Sequence, residues 1–170
     1  MSEDTASRGR YFEDFQPGQV FHSHIGRTVT QADNVWFTCV TMNPNQRHFN
    51  VPFAEATPFG RPLVNSCFTL ALVTGLTVAD TSQNATNLEW SKVVMPNPLF
   101  EGDTVWAETE VLETRESSSR PGTGIVTVRT RGINQRGESV IEFRRVFMVA
   151  GRETAEAAFS GPGTEQPWRV

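Results

Sequence analysis

His48 is the residue in this chain best suited to moving a proton, and its neighbours are amides. It lies in Thr41–Asn50, TMNPNQRHFN, a stretch without a carboxylate. An imidazole can take or give a proton near neutral pH. Asn43 and Asn45 stand just upstream, and a side-chain amide can hold a water in line. Downstream, Asn65-Ser66 lies near the start of RPLVNSCFTLALVTGLTVAD, Arg61–Asp80, which has no charge between its first and last residues. Free backbone N–H groups at a helix start can stabilise a developing oxyanion, and one such donor is worth about 10² to 10³ in rate. A thioester carbonyl held there would be polarised toward an enolate. That chemistry permits addition of water across an adjacent double bond, or its elimination. The competing reading is a His48 that only hydrogen-bonds its own loop, with Asn43 and Asn45 as ordinary turn residues.

Other chemistries lack their motifs. There is no GxGxxG, P-loop, CxxC or GxSxG pattern, and no pair of carboxylates beside the histidine in sequence. His22 and His24 would share one face of a strand and read as solvated. Cys39 and Cys67, among apolar residues and far apart, argue against a metal site or a disulfide scaffold and read as buried, reduced thiols. The chain has 170 residues, 38% hydrophobic and 20% charged, with net charge -4 and a pI near 5.4. No basic patch points to nucleic acid. Arg144-Arg145, in an alternating segment, reads as a strand edge rather than a phosphate clamp. The polar start, MSEDTASRGR, has no signal-peptide core. Leu63–Ala79 is shorter than the roughly 20 apolar residues of a membrane span. These features lead us to expect a cytoplasmic protein.

The elements that must position His48 follow from periodicity. Residues 1–10 read as a disordered N-terminus, 11–150 as one domain and 151–170 as a surface tail. Val20–Val29 alternates loosely as a first strand. Thr30 is an N-cap for a helix whose period places Ala32, Val35, Trp36, Cys39 and Val40 on the core face. Pro44 ends that helix. Phe49–Thr57 predicts a short helix anchored by Phe53. Leu63–Ala79 predicts a long helix, apolar on most sides and so in need of a surround. Four strands supply it: Leu88–Met95, Thr104–Thr114, Thr123–Gly132 and Glu138–Val149, the last two as a hairpin across NQRG. Helices first and antiparallel strands after give an α+β fold, with a long helix packed on one face of a sheet.

Taken together, NPNQRHFNVPFA (Asn43–Ala54) and FGRPLVNSCFTLALVTGL (Phe59–Leu76) resemble the hydratase motif of MaoC-like, (R)-specific enoyl-CoA hydratases. FEGDTVWAETEVLE (Phe100–Glu113) is similar to that family's strand opening, and NQRGESVIEFRRVFMV (Asn134–Val149) to its closing hairpin. The resemblance covers Tyr11–Val149 and implies a hot-dog fold, in which an antiparallel sheet wraps a long helix. The family motif runs Asp-x-Asn-Pro-x-His. Aligned on it, His48 falls on the catalytic histidine and Asn45 on the asparagine. Asn43 falls where the family has its catalytic aspartate, and Gln46 where it has proline. Asn65-Ser66 replaces a His-Gly pair. This version of the motif resembles the subgroup of mesaconyl-CoA and itaconyl-CoA hydratases.

The resemblance implies a hydro-lyase acting on a short branched dicarboxylic enoyl-CoA of the mesaconyl, itaconyl or methylglutaconyl type. His48 would transfer protons, Asn43 would orient water, and the Ser66 N–H would hold the oxyanion beside Asn65. CoA comes with the substrate, and no metal or redox cofactor is implied. A substrate carboxylate needs a cation, and Arg47, Arg61 and Arg120 are the candidates. An acyl-CoA thioesterase and a non-catalytic acyl-CoA-binding subunit are the alternatives. Hot-dog proteins pair through exposed edge strands, so a homodimer is expected, with Arg129 or Arg131 entering the partner's site.

Overall fold

The computed structural model describes residues 9–155. The expectations on 1–8 and 156–170 lie outside the described residues. Helices α1 (Gln31–Val40), α2 (Val51–Glu55), α3 (Ser66–Leu76) and α4 (Val78–Thr81) precede the long strands. The short strands β1 (Val20–His22) and β2 (Arg27–Thr28) come before α1. The long ones are β3 (Ala85–Val94), β4 (Thr104–Glu116), β5 (Thr123–Asn134) and β6 (Ser139–Ala150). The α+β expectation is borne out.

All pairings are antiparallel, in the order β1-β4-β5-β6-β3, with β2 also on β4. The strands are therefore not laid down consecutively. β4, β5 and β6 form a meander, and β3 closes on β6 rather than on its successor β4. One continuous early strand was expected, but β1 and β2 are separate. Gly26 lies between them, where a Cβ would run into the Trp106 indole, so the backbone passes close over that ring.

The long helix starts at Ser66 and breaks at Thr77 into α3 and α4. Val73 faces Gly132 of β5, where an added Cβ would stand 2.6 Å from a Val73 methyl. Missing bulk on the sheet thus admits the helix. Around this contact Val29, Val64, Leu99, Val105, Val140, Ile141 and Phe143 form one core, with Phe68, Leu70, Leu72 and Leu76 packed against it. A second core, of Phe15, Phe21, Val111, Val126, Val128, Phe147 and Val149, fills the other end of the sheet. Phe15 covers it, edge-on to Phe21 at 6.0 Å and to Phe147 at 5.6 Å.

Several side chains turn the other way from expectation. In α1 the buried residues are Asn34 and Thr38, while Trp36 is 69% and Val40 61% exposed. In α2 Ala54 is the buried residue and Phe53 is exposed. Cys39 and Cys67 are exposed, not buried. Arg144 and Arg145 lie on the interior strand β6, not on an edge, and Arg145 is fully buried. Its guanidinium donates to the Thr81 and Ser82 hydroxyls and faces the Phe147 ring at 5.0 Å; burial pushes it down to about 10.

Candidate functional site

The site begins with the way α1 ends. Thr30 starts the helix in a capping box with Asp33: the Asp33 N–H donates to the Thr30 hydroxyl, and the Thr30 N–H donates to the Asp33 carboxylate. Burial alone would raise the Asp33 carboxyl, but those bonds and Arg27 at 2.8 Å hold it below its ordinary range. At the far end Met42 adopts φ 55, a left-handed conformation that turns the chain sharply. The Asn43 N–H then donates to the Thr38 carbonyl.

Asn43 and Asn45 build the loop that follows. Asn43 Oδ1 accepts from the Asn45 N–H at 3.0 Å, and Asn45 Oδ1 accepts from the Arg47 N–H at 3.2 Å. The second bond caps a 3-10 turn, Gln46–His48. Both amide oxygens thus serve the local backbone, and the turn they make delivers His48 into a buried position, 6% exposed.

There the His48 Nδ1 lies 2.8 Å from the Leu63 carbonyl oxygen. A carbonyl only accepts, so Nδ1 carries the hydrogen. In the neutral ring Nε2 then bears the lone pair, and it makes no hydrogen bond among the described residues. The Leu63 N–H donates back to the Arg47 carbonyl at 3.0 Å, so the loop and the strap before α3 are joined at two points. Leu63 also bridges to Phe100, and the Val64 N–H donates to the Leu99 carbonyl.

The strap leads directly into α3. Asn65, buried, caps it by accepting from the Cys67 N–H at 2.9 Å. Ser66, the first helical residue, is exposed. Its N–H has no hydrogen-bond partner among the described residues. A cavity of about 260 Å³ opens beside it, lined by Phe59, Leu63, Ser66, Thr69, Asn97 and Val140 among others. Larger cavities, of about 460 Å³ over the charged face of the sheet and about 480 Å³ by the β4–β5 turn, hold neither the histidine nor a helix start. The smaller one adjoins the start of α3, with Leu63 and Ser66 in its wall, while His48 lies on the other side of Leu63 and does not line it.

The predicted residues thus separate into two sets. His48 and Asn65-Ser66 come together around Leu63, with Asn43 and Asn45 in the loop that carries the histidine. Arg61 stands nearby, its guanidinium 3.8 Å above the Phe100 ring centre. Arg47 is exposed on the loop. Arg120 does not join them: it sits in the β4–β5 turn, while Phe100–Asp103 lies at the opposite end of the 13-residue β4, about 40 Å away along an extended strand. Arg129 and Arg131 are occupied too, paired with Glu110 and Glu108. His22 faces Glu108 at 3.5 Å, and His24 lies beyond the strand.

Two residues escaped the sequence reading. Asn34, fully buried, donates from Nδ2 toward the His48 carbonyl at 2.9 Å, the Leu63 carbonyl at 3.2 Å and the Glu101 carboxylate at 3.2 Å; its Oδ1 accepts from the Asn65 N–H at 2.9 Å. Glu101 is therefore a carboxylate brought near the histidine by folding, from far along the chain. An asparagine on the polar side of an amphipathic pattern carried no signal. Asn34 could have been found only by asking why α1 shows solvent so much apolar surface.

Comparison with known proteins bears on this arrangement. A family model described as mesaconyl-CoA hydratase matches residues 2–167. A curated relative named mesaconyl-CoA hydratase, from Cereibacter sphaeroides, is 35% identical over 151 residues, covering 88% of this chain and 44% of its own. The crystal structure of a MaoC-like dehydratase from Rhodospirillum rubrum superposes with TM-score 0.76 at 29% identity, over 85% of this chain and 99% of that one. A Mycobacterium tuberculosis protein described as a double hot-dog fold superposes with TM-score 0.77 at 24% identity, over 92% of this chain and 47% of that one, and shows the fold. The chain spans less than half the length of the curated relatives it matches.

Proposed function

The chain belongs to the mesaconyl-CoA hydratase family, and from that premise we propose that it is a hydro-lyase adding water reversibly to a short, branched, dicarboxylic enoyl-CoA. The observation that carries the reading is the Nδ1–H bond from His48 to Leu63. It leaves the lone pair on Nε2, which serves as the base for water attacking the β-carbon. The same nitrogen, now protonated, returns the proton to the α-carbon directly or through water. Between these steps negative charge collects on the thioester oxygen, and the Ser66 N–H is the donor for it. Asn43 or Asn45 orients the water. The cavity beside Ser66 takes the acyl chain, and Arg61 or Arg47 takes its distal carboxylate. Stacking on Phe100 leaves the edge of the Arg61 guanidinium available for a bidentate bond. CoA arrives with the substrate.

A second copy of the chain covers the open sheet edge in this proposal. β3 is an edge strand with Leu88 and Trp90 exposed, and the matched relatives run to more than twice this length. The proposed occupant of that edge is β3 of a second copy.

One observation favours a second reading, thioester hydrolysis. Glu101 provides a carboxylate near the helix start, which a hydrolytic base requires. Mass spectrometry of crotonyl-, mesaconyl-, itaconyl- and methylglutaconyl-CoA incubations, beside a His48→Ala control, separates the two. A gain of one water on the intact thioester, lost in the control, is the expected result. Release of free CoA that survives His48→Ala but not Glu101→Gln establishes hydrolysis instead.

A further inference from the structure

Helix α1 is built the wrong way round for a helix that only needs to dock. Its buried positions are Asn34 and Thr38, i and i+4 on one face, while Trp36 and Val40 face outward. A buried amide stabilises a fold only when its hydrogen bonds are made, whereas an apolar side chain in its place would contribute by burial alone. Asn34 makes its bonds, and every one ends on the candidate site. Nδ2 reaches the carbonyl of His48 and the carbonyl of Leu63, the oxygen that also accepts from His48 Nδ1. Oδ1 holds the Asn65 N–H, one residue before the helix start. Thr38 continues the face: its hydroxyl accepts from Asn65 Nδ2 at 3.3 Å, and its carbonyl receives the Asn43 N–H. The orientation of the Asn34 amide is not ambiguous. Three oxygens lie around one end and an N–H at the other, so the two Nδ2 hydrogens face the oxygens and Oδ1 faces the N–H.

We propose that Asn34 is a positioning residue that holds the proton-transfer histidine and the helix-start oxyanion donor in one fixed relation. The inference rests on the hydratase reading of the site. A single side chain ties the backbone of His48 to the backbone of Asn65. It also fixes the Leu63 carbonyl, which selects the Nδ1–H form of the ring. Without Asn34 that carbonyl loses a fixed donor, the ring is free to take the Nε2–H form, and the lone pair moves from Nε2 to Nδ1. Misplacement on the ångström scale costs about a hundredfold in rate.

The test uses the full chain and two variants. In Asn34→Ala all these bonds are lost. Asn34→Asp keeps the acceptor for the Asn65 N–H but turns a carboxylate toward the His48, Leu63 and Glu101 oxygens. Two-bond ¹H–¹⁵N spectra of the histidine rings are recorded at alkaline pH, with His48→Ala for assignment, beside kcat and KM on mesaconyl-CoA. The native His48 ring should be the Nδ1–H tautomer. Both variants should mix or reverse the tautomers and lose about a hundredfold in kcat, with KM changed less than about threefold. Asn34→Asp should be the worse, although it is the closer in shape. A native ring in the Nε2–H form overturns the proposal even if neither variant folds. So does a folded variant with lower thermal stability but native tautomer and kcat, which is a structural role only. If the native protein hydrates none of the four thioesters yet the tautomer responds to Asn34, the hydratase reading fails and the positioning role stands.

Discussion

At the residue scale, the chemistry comes down to how few groups are free to act. Asn43 and Asn45 spend their oxygens on the loop backbone, His48 spends Nδ1 on Leu63, and Asn65 spends its amide on capping. Among the described residues, the groups left over include Nε2 of His48, the Ser66 N–H and the guanidinium of Arg61. The third of these decides specificity in our proposal. Arg61→Met keeps a long side chain over Phe100 but removes the charge. It should raise KM for mesaconyl-CoA by about tenfold to a hundredfold, the loss of a charge-assisted bond worth about 1.5–3 kcal/mol. KM for crotonyl-CoA, which has no distal carboxylate, should hardly change. Equal effects on both thioesters would place the carboxylate elsewhere, with Arg47 the next residue to vary.

Elements are held in place by a few positions where the backbone has no latitude. Met42, 88% exposed with φ 55, stands between α1 and the histidine loop. A left-handed conformation costs an ordinary residue about 1–2 kcal/mol, and glycine much less. Met42→Gly should therefore stabilise the protein by about 1 kcal/mol, seen as a rise in Tm of about 2–4 °C. A fall in Tm would mean that the methionine side chain is covered in solution. Gly132 is the opposite case. Its Cβ would stand 2.6 Å from Val73 and 3.0 Å from Ile141, both in the core, so Gly132→Ala should destabilise by about 1–3 kcal/mol in urea unfolding. Because Val73 belongs to α3, that variant should also lose turnover before it loses its fold.

For the whole molecule, two long-range devices matter. Asp103, buried in the turn before β4, accepts from Gln135 and Arg136 of the β5–β6 hairpin and from the Phe100 N–H, and so closes the end of the sheet nearest the site. Burial would raise its carboxyl, but the Arg136 and Gln135 bonds outweigh this and hold it below the ordinary 3.8. A depressed carboxyl contributes stability above its unfolded value and loses it as pH falls through the folded one. Asp103→Asn should thus be less stable at neutral pH, and the difference from the native chain should shrink as pH falls below the ordinary 3.8 and through the lowered folded value. Parallel curves down to pH 2 would contradict this role. The second device is the open edge of β3. Leu88→Lys should convert the proposed dimer to a monomer in sedimentation velocity while leaving the far-UV spectrum unchanged. A native protein that is already monomeric would refute the dimer outright.

The sequence by itself determined the fold class, the strand-rich second half, the capped start of α1 and the loop that carries His48. These are local properties: alternation, a capping pair, a proline and a run of turn formers act within a few residues of themselves. The resemblance to hydratases was legible for the same reason, because its motifs are contiguous. Only the tertiary structure decided that β3 pairs with β6, that α1 buries its amides, and that Arg120 lies at the wrong end of β4. It alone brought Asn34 and Glu101 to the histidine. The physical reason is that hydrogen-bond partners such as Asn34 and Leu63 are chosen by proximity after folding, and a helix's apolar stripe names its core face only when the core wants apolar groups. Here the face of α1 turned inward is the one that fixes a histidine and a helix start, and its signal is polar.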